Sequence, residues 1–298
     1  MKNLFQYCSL AFQHWAAHWK ESTLIILLMV IIACLAVGLI APFVVLAKAA
    51  PVVGTLVLLI VGLIVTAALM LLYYYIPVCF LTLNRNEPIS RERLKINRWR
   101  AMGVAVMTLL PSIVSQILQA CQSDELSTGI KLAIGLISLG VSIFALIWAY
   151  AVAAPLPLLA HDNREESVGQ LVRYSWDIMN GYKWKLFCID FMLVFLPLIV
   201  MCTVMVGMLI PVVMNAGASA VSNPDIWKMY AEAFSAHKGG AIFVGVIMLI
   251  EWFVLIPVGG FARAEFYDDL IAEQTKATDA TGQAEVVEAV VTEEVKEN

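Results

Sequence analysis

Leu24 to Leu83 reads LIILLMVIIACLAVGLIAPFVVLAKAAPVVGTLVLLIVGLIVTAALMLLYYYIPVCFLTL, and Lys48 is its single charge. A helix needs roughly 20 apolar residues to cross the hydrocarbon core of a bilayer. In lipid the backbone must satisfy its own hydrogen bonds, so apolar runs of this length imply helices. Lys48-Ala49-Ala50-Pro51 is a tight turn that splits the stretch into two spans, Leu24 to Ala47 and Pro51 to Leu83. The second is longer than a span needs, which predicts a bend at Pro77 or an end that projects beyond the bilayer.

Outward from this hairpin, four more apolar runs follow: Ala101 to Ala120, Leu132 to Ala154, Leu186 to Met214 and Ala241 to Phe261. Composition agrees, since 61% of the 298 residues are hydrophobic and 14% charged. Soluble domains sit nearer ~45–50% and ~25%. The ten-residue alternation of a membrane barrel is absent. The expected fold is therefore all-α, a polytopic bundle of six transmembrane helices with amphipathic interfacial helices, occupying residues 1–267. The first apolar run begins only at Leu24, behind an aromatic-rich segment, and reads as a span rather than a cleavable signal.

From Asp268 the chain changes character: nine acids face two lysines among alternating Ala, Val and Thr. Such a composition cannot bury enough apolar surface to fold alone, so 268–298 is expected to be a disordered acidic tail. The net charge of −4 comes largely from this tail. The six cysteines form no CxxC pair and no metal-type spacing.

Lys and Arg set the orientation. With six spans, one side carries both termini and the 84–100 and 161–185 loops, with 15 Lys and Arg. The other carries four: Lys48, Lys131, Lys228 and Lys238. The expectation is a bacterial inner-membrane protein with cytoplasmic termini and outside loops at 121–131 and 215–240.

The order also repeats. Before span one, Phe5, Cys8, Phe12, Trp15 and Trp19 recur at the three-to-four spacing of an amphipathic helix. Before span five, Val168, Leu171, Val172, Ser175, Met179 and Tyr182 do the same, and Ile89 to Trp99 is the more basic counterpart before span three. The even spans end in apolar-proline steps at Pro77, Pro155 with Pro157, and Pro257. The chain thus reads as three units of interfacial helix plus helical hairpin. Tyr174-Ser175 with Trp184-Lys185 echoes Tyr7-Cys8-Ser9 with Trp19-Lys20.

Tyr174 to Asp190, containing Asn180-Gly181-Tyr182-Lys183-Trp184-Lys185-Leu186-Phe187, is one of two stretches that carry a resemblance. The other is Ile256-Pro257-Val258 leading to Ala264-Glu265-Phe266-Tyr267-Asp268-Asp269-Leu270. Together they resemble an uncharacterised family of six-span bacterial membrane proteins, related to the membrane domain found beside some glycerophosphodiester phosphodiesterases. The likeness implies the six-span fold and no activity. The metal-binding acids and histidines of the phosphodiesterase domain have no counterpart in this sequence.

Candidate chemistry is sparse. His14 and His18 lie one helical turn apart, but HxxxH without an intervening Glu and a third ligand is read as interfacial, and no metal or cofactor is expected. No nucleophile–base pattern or phosphate loop stands out, so no catalytic residue is expected. Arg85, Arg91, Arg93, Lys95, Arg98 and Arg100 form a basic loop suited to lipid head groups, at about 1 kcal/mol per residue near an anionic surface. The loop is short and nearly free of aromatics, which argues against nucleic acid.

Two acids fall inside apolar runs. Asp190 lies four residues into span five, about 6 Å deep at 1.5 Å per residue, where it can pair with Arg263 at the same end of span six. Glu251 lies 13 residues after Lys238 and 12 before Arg263, near the bilayer midplane. A charged acid there costs several kcal/mol and turns to a bundle interior or a cavity. Its bland role is to donate, as a neutral acid, to a backbone carbonyl such as that of Leu193, freed by Pro197. The leading expectation is a non-enzymatic membrane module that organises lipids or partner proteins, with the acidic tail as a possible protein contact. The alternative is a small proton- or cation-coupled transporter or channel that uses Glu251.

Overall fold

The computed structural model describes residues 1–49, 51–90, 92, 94, 96–120, 128–216 and 238–297. Every regular element among them is helical. α1 (Leu4–Ala17) is followed by the first hairpin, α2 (Trp19–Ala49) and α3 (Pro51–Asn84). The second hairpin is α4 (Arg98–Ala120) and α5 (Thr128–Trp148), which runs through a π-turn (Ala149–Ala153) into α6 (Leu156–Asp162). α7 (Val168–Ile178) leads to α8 (Lys183–Asp190), a second π-turn (Phe191–Phe195) and α9 (Leu196–Ala216). α10 (Lys238–Ile250) passes through a third π-turn (Glu251–Leu255) into α11 (Ile256–Glu297). The expected loops at 121–131 and 215–240 fall largely outside the described residues.

Four helical stretches are long and apolar enough to cross a membrane: Trp19–Ala36, Ile134–Asp162, Lys183–Gly207 and Ile242–Lys276. Their surfaces fit that medium. Leu24, Leu28, Ile31 and Leu35 of α2, and Leu136, Leu139, Ile143 and Leu146 of α5, are exposed. Rows of bare aliphatic side chains on this scale are at home in lipid and not in water. α3 and α4, of 34 and 23 residues, stand where the second and third spans were expected.

Two of the three interfacial segments are helices, and both open with the same device. Asn3 and Gln6 exchange side-chain and backbone hydrogen bonds in a capping box at the start of α1, both at 2.9 Å. Ser167 and Gln170 do so at the start of α7. Each box satisfies two otherwise orphaned backbone donors. The third segment differs: from Glu87 to Asn97 the described residues are non-helical. Asn86 has a positive φ of 55°, and Pro88 biases Glu87 towards extended backbone, so the chain leaves α3 without starting a new helix.

The π-turns share one cause. Each stands two residues before a proline, at Pro155, Pro197 and Pro257. Proline has no N–H and crowds the carbonyl four residues back. The residue ahead of it bonds one carbonyl further away, as when Ala154 N–H donates to Ala149 O at 3.0 Å. Leu196 to Phe191 and Ile256 to Glu251 repeat the pattern. At the first π-turn the hydroxyl of Ser175, fully buried on α7, donates to the carbonyl of Ala151 at 2.8 Å and ties α7 to the second hairpin. Pro77 sits in an uninterrupted helix instead.

The six long helices pack in chain order and then close. α2 lies on α3, α3 on α4, α4 on α5, α8 on the first π-turn and α9 on α10, while α2 returns to α11. The end of α3 meets α6 and α11, which carry the fourth and sixth spans past their expected ends at Ala154 and Phe261. Val78, Leu81 and Leu83 of α3, Leu156 and Leu159 of α6, and Phe261, Phe266 and Leu270 of α11 are buried together with Tyr7 and Ala11 of α1. The extra length of the second span thus enters a compact cap at one end of the bundle. The domain boundary drawn at Asp268 falls inside this cap: α11 continues through it without a break, and Leu270 is fully buried.

At the tightest contact in the cap, a Cβ at Gly260 would lie 2.6 Å from the ring of Phe80, which is itself buried and edge-on to Phe261. Gly260→Ala should destabilise the detergent-solubilised protein by roughly 1–3 kcal/mol, the usual penalty for overpacking. The adjacent Gly259→Ala meets only an ordinary contact at 3.6 Å and should be tolerated. Thermal unfolding of the two variants side by side reads the difference, and equal melting temperatures would refute this packing.

Candidate functional site

The cap brings together polar groups from all three hairpins. Arg85 leaves the end of α3 and reaches two carboxylates at once. Its Nη1 and Nη2 donate to Oδ1 and Oδ2 of Asp162, both at 2.9 Å. Its Nε and Nη2 donate to Oδ1 of Asp268 at 3.0 and 2.6 Å. Asp162 ends α6 and Asp268 lies in α11, so one guanidinium joins α3, α6 and α11. Tyr267 donates its hydroxyl to Asp162 at 3.0 Å, and Asn84 donates to Glu265 at 2.9 Å and Asp268 at 3.2 Å. The bonds with Asp162 outweigh the desolvation of Arg85 and, with those from Asp268, raise its pKa further above the usual arginine value. Arg85 stays charged at any working pH.

A second cluster holds α1 on α11. Lys2 Nζ lies 2.7 Å from Glu265 Oε1 and 2.7 Å from Asp269 Oδ1. Tyr7 donates its hydroxyl to Asp269 at 2.9 Å, and its ring packs on Phe266. The N-terminal amine is 3.6 Å from Glu273. Asp269 and Glu273 stand in the segment whose composition reads as a disordered tail. The signal that identifies them as helix is the apolar series Ala262, Phe266, Leu270, which keeps helical spacing past Asp268.

The sequence candidates separate into distinct environments. Asp190 and Arg263 form a bidentate pair, Nε to Oδ1 at 2.8 Å and Nη2 to Oδ2 at 3.0 Å, and Asp190 is buried. Of the basic loop, Arg85 is engaged as described, and Arg100 donates to the carbonyls of Asn163 and Arg164. Arg98 is exposed, and Arg91, Arg93 and Lys95 lie outside the described residues. Arg85 and Arg100 are therefore internal ties rather than free lipid contacts, because α6 and the turn after it place acceptors within their reach. His14 and His18 stack on Phe261, with ring centroids 6.1 and 6.4 Å away, and His18 also bonds Asn86 at 3.2 Å.

Glu251 is remote from the cap. It opens the third π-turn, is 8% exposed, and its Oε2 is buried without a hydrogen-bond partner. The next residues, Trp252 and Phe253, line an apolar groove of about 690 Å³ with Val30, Ile242, Val246 and Leu249, between α2 and α10. Among the described residues no group of three His, Cys, Asp or Glu could hold a metal ion. Chemically the cap is a lattice of ion pairs in which carboxylates outnumber cations, and Glu251 is a buried acid outside it.

The chain matches no family model, no curated protein and no solved structure.

Two outcomes test the cap. Arg85→Gln leaves Asp162 and Asp268 facing each other without a cation, an arrangement that costs well beyond a lost surface pair. The groups are about one-third exposed, so the loss should be roughly 1–3 kcal/mol. Arg98→Gln, on an exposed side chain, should change stability by less than about 0.5 kcal/mol. Thermal unfolding in detergent compares them, and equal effects would show that Arg85 joins nothing.

The second outcome concerns pH. Desolvation lowers the pKa of Lys2, but its bonds to Asp269 and Glu265 outweigh this and raise it overall. Burial and the bond to Asp269 push the Tyr7 phenol up as well. Both groups hold their protons more tightly when docked, so their contribution is complete below the free values, about 10–10.4, and falls as pH rises beyond them. Hydrogen exchange of residues 4–17 should stay slow to about pH 10, after correction for intrinsic rates, and then accelerate. Release of α1 by pH 9 would contradict this docking.

Proposed function

We propose that this chain is a six-span integral membrane module of the bacterial inner membrane that works without catalysis, organising lipids or a partner protein. α3 and α4 bring the four apolar crossings to six. The observation that carries the reading is the cap: Lys2, Arg85 and Arg263 each sit on carboxylates of other helices. Such a lattice fixes three hairpins into one body, with rows of exposed apolar side chains along α2, α5 and α10. The contact of Lys2 with Glu265 and Asp269, which holds the N-terminus against α11, supports an even number of crossings. The 15-to-4 excess of Lys and Arg makes that side cytoplasmic. The likeness to six-span bacterial membrane proteins belongs to this proposal, as does a protein partner for the acidic C-terminal segment.

A second reading, a proton- or cation-coupled transporter, draws on one observation, the partnerless Oε2 of Glu251. A midplane carboxyl inside a bundle is a common proton relay. Reconstitution separates the two. Liposomes carrying the purified protein and an internal pH dye should show no more proton leak than empty liposomes, and Glu251→Gln should behave as wild type. A proton or cation flux that the wild type supports and Glu251→Gln abolishes, with both proteins folded, would overturn the module in favour of the transporter.

A further inference from the structure

Two groups of basic residues stand in contrast. Lys2, Arg85 and Arg263 lie in the cap, each on a carboxylate. Lys20, Arg98, Lys183 and Lys185 have no carboxylate partner among the described residues, and all stand beside an exposed tryptophan. The pattern occurs once per hairpin, at the start of each odd span: Trp19-Lys20 at α2, Arg98-Trp99-Arg100 at α4, and Lys183-Trp184-Lys185 at α8. The three tryptophans are 52%, 81% and 71% exposed. A buried-core role would hide them, and a helix that simply needed a start would not repeat so large a side chain three times.

Each corner also has a residue that reaches inward. His18 bonds Asn86, Arg100 holds the carbonyls of Asn163 and Arg164, and Lys185 Nζ lies 5.3 Å from the ring centre of Tyr7. The other cation is left outward. Lys20 lies 5.8 Å from the Trp19 ring, Lys183 lies 4.1 Å from the Trp176 ring, and Arg98 is exposed. The inward residue fixes the corner to the cap, while the aromatic ring and the outward cation face the surroundings.

From this juxtaposition we infer that the three tryptophan–cation corners are binding positions for the phosphate groups of anionic phospholipids, one at each hairpin. An indole sits at head-group depth because one edge is apolar and the other donates a hydrogen bond. A cation held against an aromatic ring and free of acids is left to a phosphate oxygen, which accepts charge-assisted hydrogen bonds. The inference rests on the lipid-organising reading and moves the lipid contact from the 84–100 loop as a whole to Lys20, Arg98 and Lys183.

The test uses the full chain in neutral detergent micelles, titrated with pyrene-labelled phosphatidylglycerol and read by energy transfer from tryptophan. The wild type should prefer this probe to pyrene-labelled phosphatidylcholine, and 0.5 M salt should weaken the preference. Each of Lys20→Gln, Arg98→Gln and Lys183→Gln should weaken phosphatidylglycerol binding about 5-fold. The triple variant should lose the preference, Arg98→Lys should keep it, and Lys276→Gln, an exposed cation of α11 outside the corners, should leave it unchanged. A folded triple variant that retains wild-type preference overturns the inference, as does a wild type without one. Displacement of the probe by millimolar inorganic phosphate would assign the corners to a soluble anion and overturn it equally. Proton leak through liposomes is a separate readout, so the corners can fail while the module reading stands.

Discussion

One guanidinium holds the architecture together. Helical hairpins in a lipid-like medium gain little from the hydrophobic effect against one another, because lipid tails are as apolar as leucine. Something else must decide how three such hairpins meet. Here the ends of α3, α6 and α11 converge, and Arg85 bridges Asp162 and Asp268 between them. The planar fork suits two carboxylates at once in a way that a lysine would not. Tyr267 and Asn84 fill the remaining acceptor positions of the same acids. The polar lattice supplies direction, and the buried rings around it supply volume.

The other ties lock the ring shut. α1 belongs to the first hairpin in sequence and to the last in space, since Lys2 and Tyr7 fasten it to α11. α7 does the same for the second and third hairpins through Ser175 and the π-turn of Ala149–Ala153. The prolines matter for this. By removing one backbone donor each, they widen the helix locally and leave a carbonyl within reach of a neighbouring side chain. The third π-turn has no such donor for Glu251, whose Oε2 stays without a partner.

Charge is sorted by position. The cations of the cap sit on carboxylates, and the cations beside exposed tryptophans do not. A body built this way is rigid at its polar end and offers its surroundings a collar of indoles and positive charge. That division is the physical basis for reading the molecule as a membrane organiser, and Glu251 is the residue that the reading leaves with no task.

Apolar run length, composition and capping residues act locally, and the sequence alone was enough for what depends on them. The helical class, the starts of the long helices to within a few residues, the helices that become α1 and α7, and the shared depth of Asp190 and Arg263 all follow from spacing along one chain. The non-helical passage after Asn84 was only half visible, in Pro88 and the weak periodicity of 89–99. What the tertiary structure decided are the partners. Nothing near Arg85 in the chain points to Asp162 and Asp268, 77 and 183 residues away. Counted by composition, Asp268, Asp269 and Glu273 belong to an acidic tail. Placed on a helix that continues from Pro257, they turn towards Lys2, Arg85 and the N-terminal amine. Composition averages over a window and cannot see a face, whereas a fold is made of faces, and those acquire meaning only when another helix lies against them.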